Sequence, residues 1–213
     1  SSTDGFVSQA QPNDDFVRFY HNGSVGVFES NYQSSGAYTP LVFYTSNAEK
    51  MRLDTSGRLG IGTASATAML QSAGTSAIAA AKVPNILEPA TVSATAATGT
   101  INYDARTQSV LYYTTSASGN WTLNVRGSST ATLDSVMATG QSLTIAFLAT
   151  QGATAYYNTS VQVDGTTTGV TTKWQGGTAP TSGNASAIDV YNFVITKTAS
   201  ATYTILASQT KFA

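Results

Sequence analysis

The sequence predicts an all-β protein, and three observations carry the prediction. One pattern is written twice: Val17-Arg18-Phe19-Tyr20-His21-Asn22-Gly23-Ser24-Val25-Gly26-Val27 aligns without a gap on Met51-Arg52-Leu53-Asp54-Thr55-Ser56-Gly57-Arg58-Leu59-Gly60-Ile61. The C-terminal half is a run of short alternating apolar segments separated by Gly and Asn turns, the layout of an all-β fold. Charged residues are only 10% of the chain, against about 25% in ordinary globular proteins, and Ser, Thr, Ala, Gly and Asn take their place.

Each copy of the repeat reads as a hairpin. Asn22-Gly23 and Ser56-Gly57 supply the positive φ of a tight turn. Alternation along a strand puts Val17, Phe19, Val25 and Val27 on one face, and Met51, Leu53, Leu59 and Ile61 on one face of the second copy. Gly26 and Gly60 fall on the opposite face, where a missing side chain admits another backbone. A two-stranded hairpin with so few apolar residues is not stable alone, so these faces need a partner. Another copy of the chain is the expected one. Residues 1–63 together read as a repeat-containing β-stalk, with Leu41-Val42-Phe43-Tyr44 as a further strand after Pro40.

From 64 to 90 the composition turns to Ala, Ser and Thr, which predicts a connector. Met69, Leu70, Ala73, Ala77, Ile78 and Ala81 recur at helical spacing and predict a short helix there, with Gly74 opposing it and Pro84 and Pro89 ending it. Residues 91–129 predict a three-stranded β module. Ile101 and Tyr103 alternate with Asn102 and Asp104, as Trp121, Leu123 and Val125 do with Thr122, Asn124 and Arg126. Val110 to Tyr113 is apolar on both faces and is expected to be central. Residues 130–213 predict a β-sandwich, from the alternation of Leu143, Ile145 and Phe147, of Val161 and Val163, and of Tyr203, Ile205 and Ala207. Ile188 to Ile195 is nearly continuous and apolar on both faces.

The run Glu49-Lys50-Met51-Arg52-Leu53-Asp54-Thr55-Ser56-Gly57-Arg58-Leu59-Gly60-Ile61-Gly62-Thr63 resembles the motif along the shafts of bacteriophage tail fibres and tail spikes. In that family three chains wrap around one axis into a β-rich stalk. A second resemblance runs through Thr100-Ile101-Asn102-Tyr103-Asp104, Val110-Leu111-Tyr112-Tyr113, Asn120-Trp121-Thr122-Leu123, Trp174-Gln175-Gly176-Gly177-Thr178-Ala179-Pro180 and the closing Leu206 to Ala213. These segments are similar to the distal part of fibre-like virion proteins of marine phages, many of them cyanophages. Many shafts with the repeated motif end in a self-cleaving chaperone domain, and no segment here resembles one. The resemblance implies a trimeric β-rich shaft followed by a small β module and a C-terminal β-sandwich head.

The totals exclude several classes. Hydrophobic residues reach 41%, enough for packed cores, so wholesale disorder is not expected. The net charge is −1 and no basic run occurs, which argues against nucleic-acid binding. There is no cysteine, so disulfides and thiolate chemistry contribute nothing. No apolar run is long enough to span a bilayer as a helix, and no membrane insertion is expected. Ser1-Ser2-Thr3-Asp4 is neither a signal peptide nor an initiator-methionine start, so the chain reads as a fragment or processed product.

No cluster of catalytic or metal-ligating residues stands out, so neither an enzyme nor a cofactor or metal is expected. His21 is the single histidine and lies at a hairpin turn, where an exposed turn residue is the better reading than a ligand. Asp14 and Asp15 are adjacent and would face opposite ways in a strand. Asp104, Asp134, Asp164 and Asp189 are isolated, and Asp164-Gly165 reads as a turn. Arg18 and Arg52 hold equivalent places in the two repeats. They form either a ring of contacts around an assembly axis or exposed strand charges that blunt edge pairing.

Sugar binding needs aromatic platforms beside polar donors. Lys173-Trp174-Gln175 before the 178–186 loop is the first candidate receptor-binding segment, and Tyr156-Tyr157 the second. The plainer reading of Trp174 is a core or interface aromatic, as most tryptophans are. The expected function is a homotrimeric structural fibre of a virion that attaches to a host cell-surface glycan or outer-membrane component. It would bind itself, and other virion proteins on its N-terminal side. The alternatives are a virion part without a receptor (head-decoration, neck or baseplate adaptor fibre), a polysaccharide depolymerase spike, and a cellular trimeric adhesin.

Overall fold

Strands make up most of the described residues, where period-two apolar alternation runs between turns. The structure, a computed structural model, describes residues 7–9, 15–32, 37–75, 77, 79–82 and 85–213. Ser1–Asn85 and Ile86–Ala213 form separate units. The protein is mostly β, with one short helix among the described residues.

In the first unit β1 (Val7–Gln9), β2 (Asp15–His21) and β3 (Gly26–Tyr32) make an antiparallel sheet. A second sheet runs in sequence order through β4 (Leu41–Thr45), β5 (Ala48–Leu53), β6 (Leu59–Ile61) and β7 (Leu70–Ser72). Both copies of the repeat are hairpins, but their registers differ. In the second copy Leu53 faces Leu59 and Met51 faces Ile61. Asp54 ties that loop, accepting from Ser56 N and Arg58 N at 2.9 Å, with Gly57 at φ +77°. In the first copy Phe19 faces Phe28 and Tyr20 faces Val27.

This register overturns the shared face expected for Val17, Phe19, Val25 and Val27. Val17 and Phe19 share a face with Phe28, Val27 lies on the other face with Arg18 and Tyr20, and Val25 sits in the loop. An odd shift of register moves a side chain to the opposite face. Here the Asn22 side chain accepts from Ser24 N and Val25 N at 3.1 Å and so closes a longer loop. Two cross-strand pairs match that register: Phe19 stacks on Phe28 with ring centroids 4.3 Å apart, and Arg18 Nε donates to Glu29 at 2.6 Å.

Both repeat arginines pair with a glutamate within the chain. Arg18 lies over Phe16 and Tyr20 as well as pairing with Glu29, and Arg52 forks onto both oxygens of Glu49 at 2.8 and 2.7 Å. The two glycines also part company. A Cβ on Gly60 would lie 2.5 Å from the Thr63 carbonyl oxygen, whereas Gly26 has nothing within 4 Å.

The helix expected over 64–90 is absent from the described residues. Leu70–Ser72 is instead a strand, parallel to β6, with Leu70 opposite Leu59. Pairing with the sheet outweighs the periodicity, in a segment whose Ser, Thr and Gly residues favour helix only weakly. Ile78 and Pro84 lie outside the described residues, as do Asp14 and the side chain of Asp15. The second sheet gathers its apolar residues on one side: Leu41, Leu53, Leu59 and Leu70 in one row, and Phe43, Met51 and Ile61 in the next. Phe43 is 46%, Leu53 39%, Ile61 42% and Leu70 64% exposed.

The second unit holds β8 (Ala90–Ala96), β9 (Gly99–Asp104), β10 (Val110–Thr115), β11 (Trp121–Arg126), α1 (Leu133–Val136), β12 (Ser142–Thr150), β13 (Asn158–Val163), β14 (Val170–Trp174), β15 (Ile188–Ala199) and β16 (Thr202–Phe212). From β8 to β13 successive strands alternate between two sheets, so β9, β10, β11 and β12 each serve as the crossover between parallel neighbours. The six-stranded sheet has the order β14-β16-β15-β12-β10-β8, and the three-stranded one β13-β11-β9. The β15–β16 hairpin lies between β12 and β14.

No border falls at residue 129. Strands expected to form a separate module over 91–129 share both sheets with the rest, Leu111 lying opposite Phe147 and Leu123 opposite Val161. One core joins Tyr103, Trp121 and Val163 from the smaller sheet to Phe147, Tyr191 and Ile205 from the larger. Winding between sheets leaves no trace in strand spacing, which is why the sequence suggested two parts. β10 is an interior strand, as its two-sided apolar run predicts; β15 is interior in the sheet order too, but its outer face is exposed at Asn192 and Val194.

Candidate functional site

The inward positions of β15 are Asp189, Tyr191, Phe193, Ile195 and Lys197, all buried. Their outward neighbours, Asn192 and Val194, are exposed. On the same outer side Lys173 of β14, Leu206 of β16 and Val194 of β15 lie in one register row. Ser208 and Asn192 form the next row, and Gln175 follows the end of β14 beside it. These six residues line a groove of about 360 Å³ with Trp174 and Ala207.

The groove has two chemical halves. Leu206, 56% exposed, and Val194, 38% exposed, form an apolar floor. Lys173, Gln175, Asn192 and Ser208 surround it, and none of their side chains bonds to another described residue. Lys173 is the only charged lining group. Three adjacent strands and the turn after β14 set the backbone positions from which these side chains project.

Trp174 occupies an inward position opposite Ala207 and is half-buried. Its ring meets Tyr191 and Phe193 edge-on, with centroids 6.4 and 6.1 Å apart. It packs against the edge of the core and also lines the groove. Tyr156 also packs on the core, and the Gln151 side chain holds both its N–H (2.9 Å) and its carbonyl (2.7 Å). The Tyr157 N–H donates to Asn120 Oδ1 at 3.1 Å. Strand directions place the 151–157 loop at the same end of the unit as Trp174, but neither tyrosine lines the groove. Of the residues the sequence singled out, Lys173, Trp174 and Gln175 come together, and Tyr156 and Tyr157 do not join them. Asn192, Val194, Leu206 and Ser208 were missed. Their signal is the polar or exposed half of the β15 and β16 alternation, legible only once the two strands are placed beside β14.

A second concavity, of about 400 Å³, lies beside α1 and is lined mainly by Leu133, Val136, Met137 and Leu143, with Arg106 among its lining groups.

The four aspartates of the second unit, Asp104, Asp134, Asp164 and Asp189, are each held by hydrogen bonds or an ion pair. Asp104 pairs with Arg126 at 2.5 Å. Asp164, at φ +51°, and Gly165, at φ +81°, make the two-residue turn their sequence predicts, closed by reciprocal Val163–Thr166 backbone bonds. The Asp164 carboxylate accepts the Leu133 and Asp134 N–H groups at the start of α1, at 2.7 and 3.1 Å. Asp134 is drawn beside it, but the hydrogen bond from Lys197 holds its carboxyl below the usual range. A general-acid carboxyl needs the opposite shift. Burial pushes the Asp189 carboxyl up, but Asp189 is wholly enclosed. His21 is an exposed turn residue whose Nδ1 accepts the Gly23 N–H at 3.1 Å. Among the described residues no group of three or more His, Asp or Glu is placed to hold a metal.

No family model, no curated protein and no solved structure matches the chain.

Proposed function

We propose that the protein is a homotrimeric structural fibre of a phage virion that attaches to a receptor on the host surface. In this reading Ser1–Asn85 forms an interchain β-shaft and the two-sheet unit Ile86–Ala213 is a β-sandwich head. Its partners are two further copies of itself, other virion proteins towards its N-terminal side, and a host glycan or outer-membrane component.

One observation carries the reading: the apolar side of the β4–β7 sheet has large side chains left 39–64% exposed in the single chain. Each such side chain gains about 1.5–3 kcal/mol when fully buried. A short four-stranded sheet with one such open side is not an economical monomer, and a neighbouring copy of the same side is its natural cover. The repeated motif supports the same conclusion through its resemblance to fibre shafts. Carboxylates committed to turns, caps and ion pairs support a binding role rather than hydrolysis.

The test is the double substitution Leu53→Asp/Ile61→Asp. It dissociates the assembly under this reading and abolishes adhesion of labelled protein to susceptible cells, because three weak sites act together only on a trimer. An unchanged mass and unchanged adhesion would remove the shaft from the proposal.

A further inference from the structure

We infer that the groove of Lys173, Gln175, Asn192, Val194, Leu206 and Ser208 is a binding site for a carboxylated saccharide. This rests on the attachment reading only in supposing that the head binds a glycan, and it names the class. The floor and rim suit one or two sugar rings: strand and residue spacings make the patch roughly 10 Å by 7 Å between side-chain roots. The apolar face of a pyranose lies on Leu206 and Val194, the two exposed aliphatic side chains of the groove. Ring hydroxyls meet an amide on either flank, Gln175 and Asn192, with the Ser208 hydroxyl between them. Each amide offers both a donor and an acceptor, which matches hydroxyls that both give and take hydrogen bonds.

The charge selects the ligand. Lys173 has no ion-pair or hydrogen-bond partner among the described residues, and no carboxylate lines the groove. A neutral sugar leaves that ammonium without an anion, while a single carboxylate supplies one charge for one charge. A lone lysine is a point charge and lacks the forked donors that favour phosphate. In a chain with only 10% charged residues, one unpaired cation on a rigid apolar floor is a selective feature.

The experiment uses the full chain and a soluble tetragalacturonate, compared with the same oligosaccharide fully methyl-esterified. The ester keeps the shape and hydroxyls and removes only the charge. The expected result is measurable binding of the acid, about tenfold weaker binding of the ester, and affinity for the acid that falls with added salt. Lys173→Gln should bring the acid down to the level of the ester and leave the ester unchanged. Leu206→Glu should abolish both. Lys173 and Leu206 are exposed, so the near-ultraviolet spectrum and melting temperature of each variant should match the parent.

Failure of the parent to bind the acid, equal binding of acid and ester, or full binding by Lys173→Gln would overturn the inference. Soluble oligosaccharide binding needs neither a trimer nor a host cell. A monomeric or non-adherent protein that still binds the acid would therefore sink the fibre reading alone. A trimeric, adherent protein indifferent to the acid would sink the groove alone.

Discussion

Replacing Lys197 by methionine isolates one polar contact inside the second unit. Lys197 is only 6% exposed, yet its alternation on β15 points it inward beneath α1. Its ammonium donates to the Asp134 carbonyl at 2.6 Å and the Met137 carbonyl at 2.8 Å, and pairs with the Asp134 carboxylate at 2.8 Å. A helix of four residues cannot satisfy its last carbonyls internally, and the lysine does so. Methionine fills nearly the same space, so the loss is of polarity rather than packing. Two carbonyls without partners cost about 1–1.5 kcal/mol each. Relief of the buried ammonium's desolvation offsets part of that, leaving a net loss of about 2 kcal/mol. The partly exposed Asp134 carboxylate remains in solvent and adds little.

The readout is clean because both tryptophans, Trp121 and Trp174, belong to Ile86–Ala213. Tryptophan fluorescence on urea unfolding should therefore report this unit alone, with the melting temperature lowered by about 6–8 °C. The Asp134 carboxyl is depressed in the fold, so its share is present above its unfolded pKa and lost as pH falls through the folded value. The parent should thus lose slightly more stability in acid than Lys197→Met. A loss below about 0.5 kcal/mol, or a gain, would refute the reasoning, since surface-like changes fall in that range.

Asp189 behaves oppositely. Its Oδ2 accepts from Gln151 Nε2 at 3.0 Å and Asn184 N at 3.1 Å, while Oδ1 is buried without a hydrogen-bond partner. Burial raises its pKa, so stability is fully present below the unfolded pKa of about 3.9 and lost as pH rises through the folded value. Asp189→Asn should raise the melting temperature by about 4 °C at pH 8 and change it little at pH 3; a lower value at pH 8 would count against this. In the first unit Gly60→Ala should destabilise by about 1–3 kcal/mol through its approach to the Thr63 carbonyl, while Gly26→Ala should be neutral. Hydrogen exchange over the two hairpins, read by mass spectrometry, distinguishes them. Trp174→Ala should destabilise the second unit by about 2 kcal/mol, read by urea unfolding, through loss of its edge contacts with Tyr191 and Phe193, and unchanged stability would contradict its place at the edge of the core.

Local chemistry was legible and long-range order was not. The Asp164-Gly165 turn, the inward rows of β12 and β16 and the interior positions of β10 and β15 follow from alternation and turn residues alone. The register of the first hairpin does not, because Asn22 closes its loop with a side chain whose reach the spacing of apolar residues does not encode. The Leu70 segment carries helical spacing, yet three residues pairing with β6 decide its state. Asp189 and Lys197 stand two residues before Tyr191 and two after Ile195, in phase with the inward aromatic and aliphatic row of β15, so their burial was readable from that phase. The groove was half legible: Lys173 and Gln175 are adjacent in sequence to Trp174, but Asn192 and Leu206 reach them only through the β14-β16-β15 order.

The most direct test of the account is the absolute mass of the unmodified protein by light scattering on a sizing column. The account predicts three times the 22.1 kDa of one chain, held on dilution. A mass of one chain would mean that the apolar side of the β4–β7 sheet needs no second copy, and the fibre reading would lose its physical support.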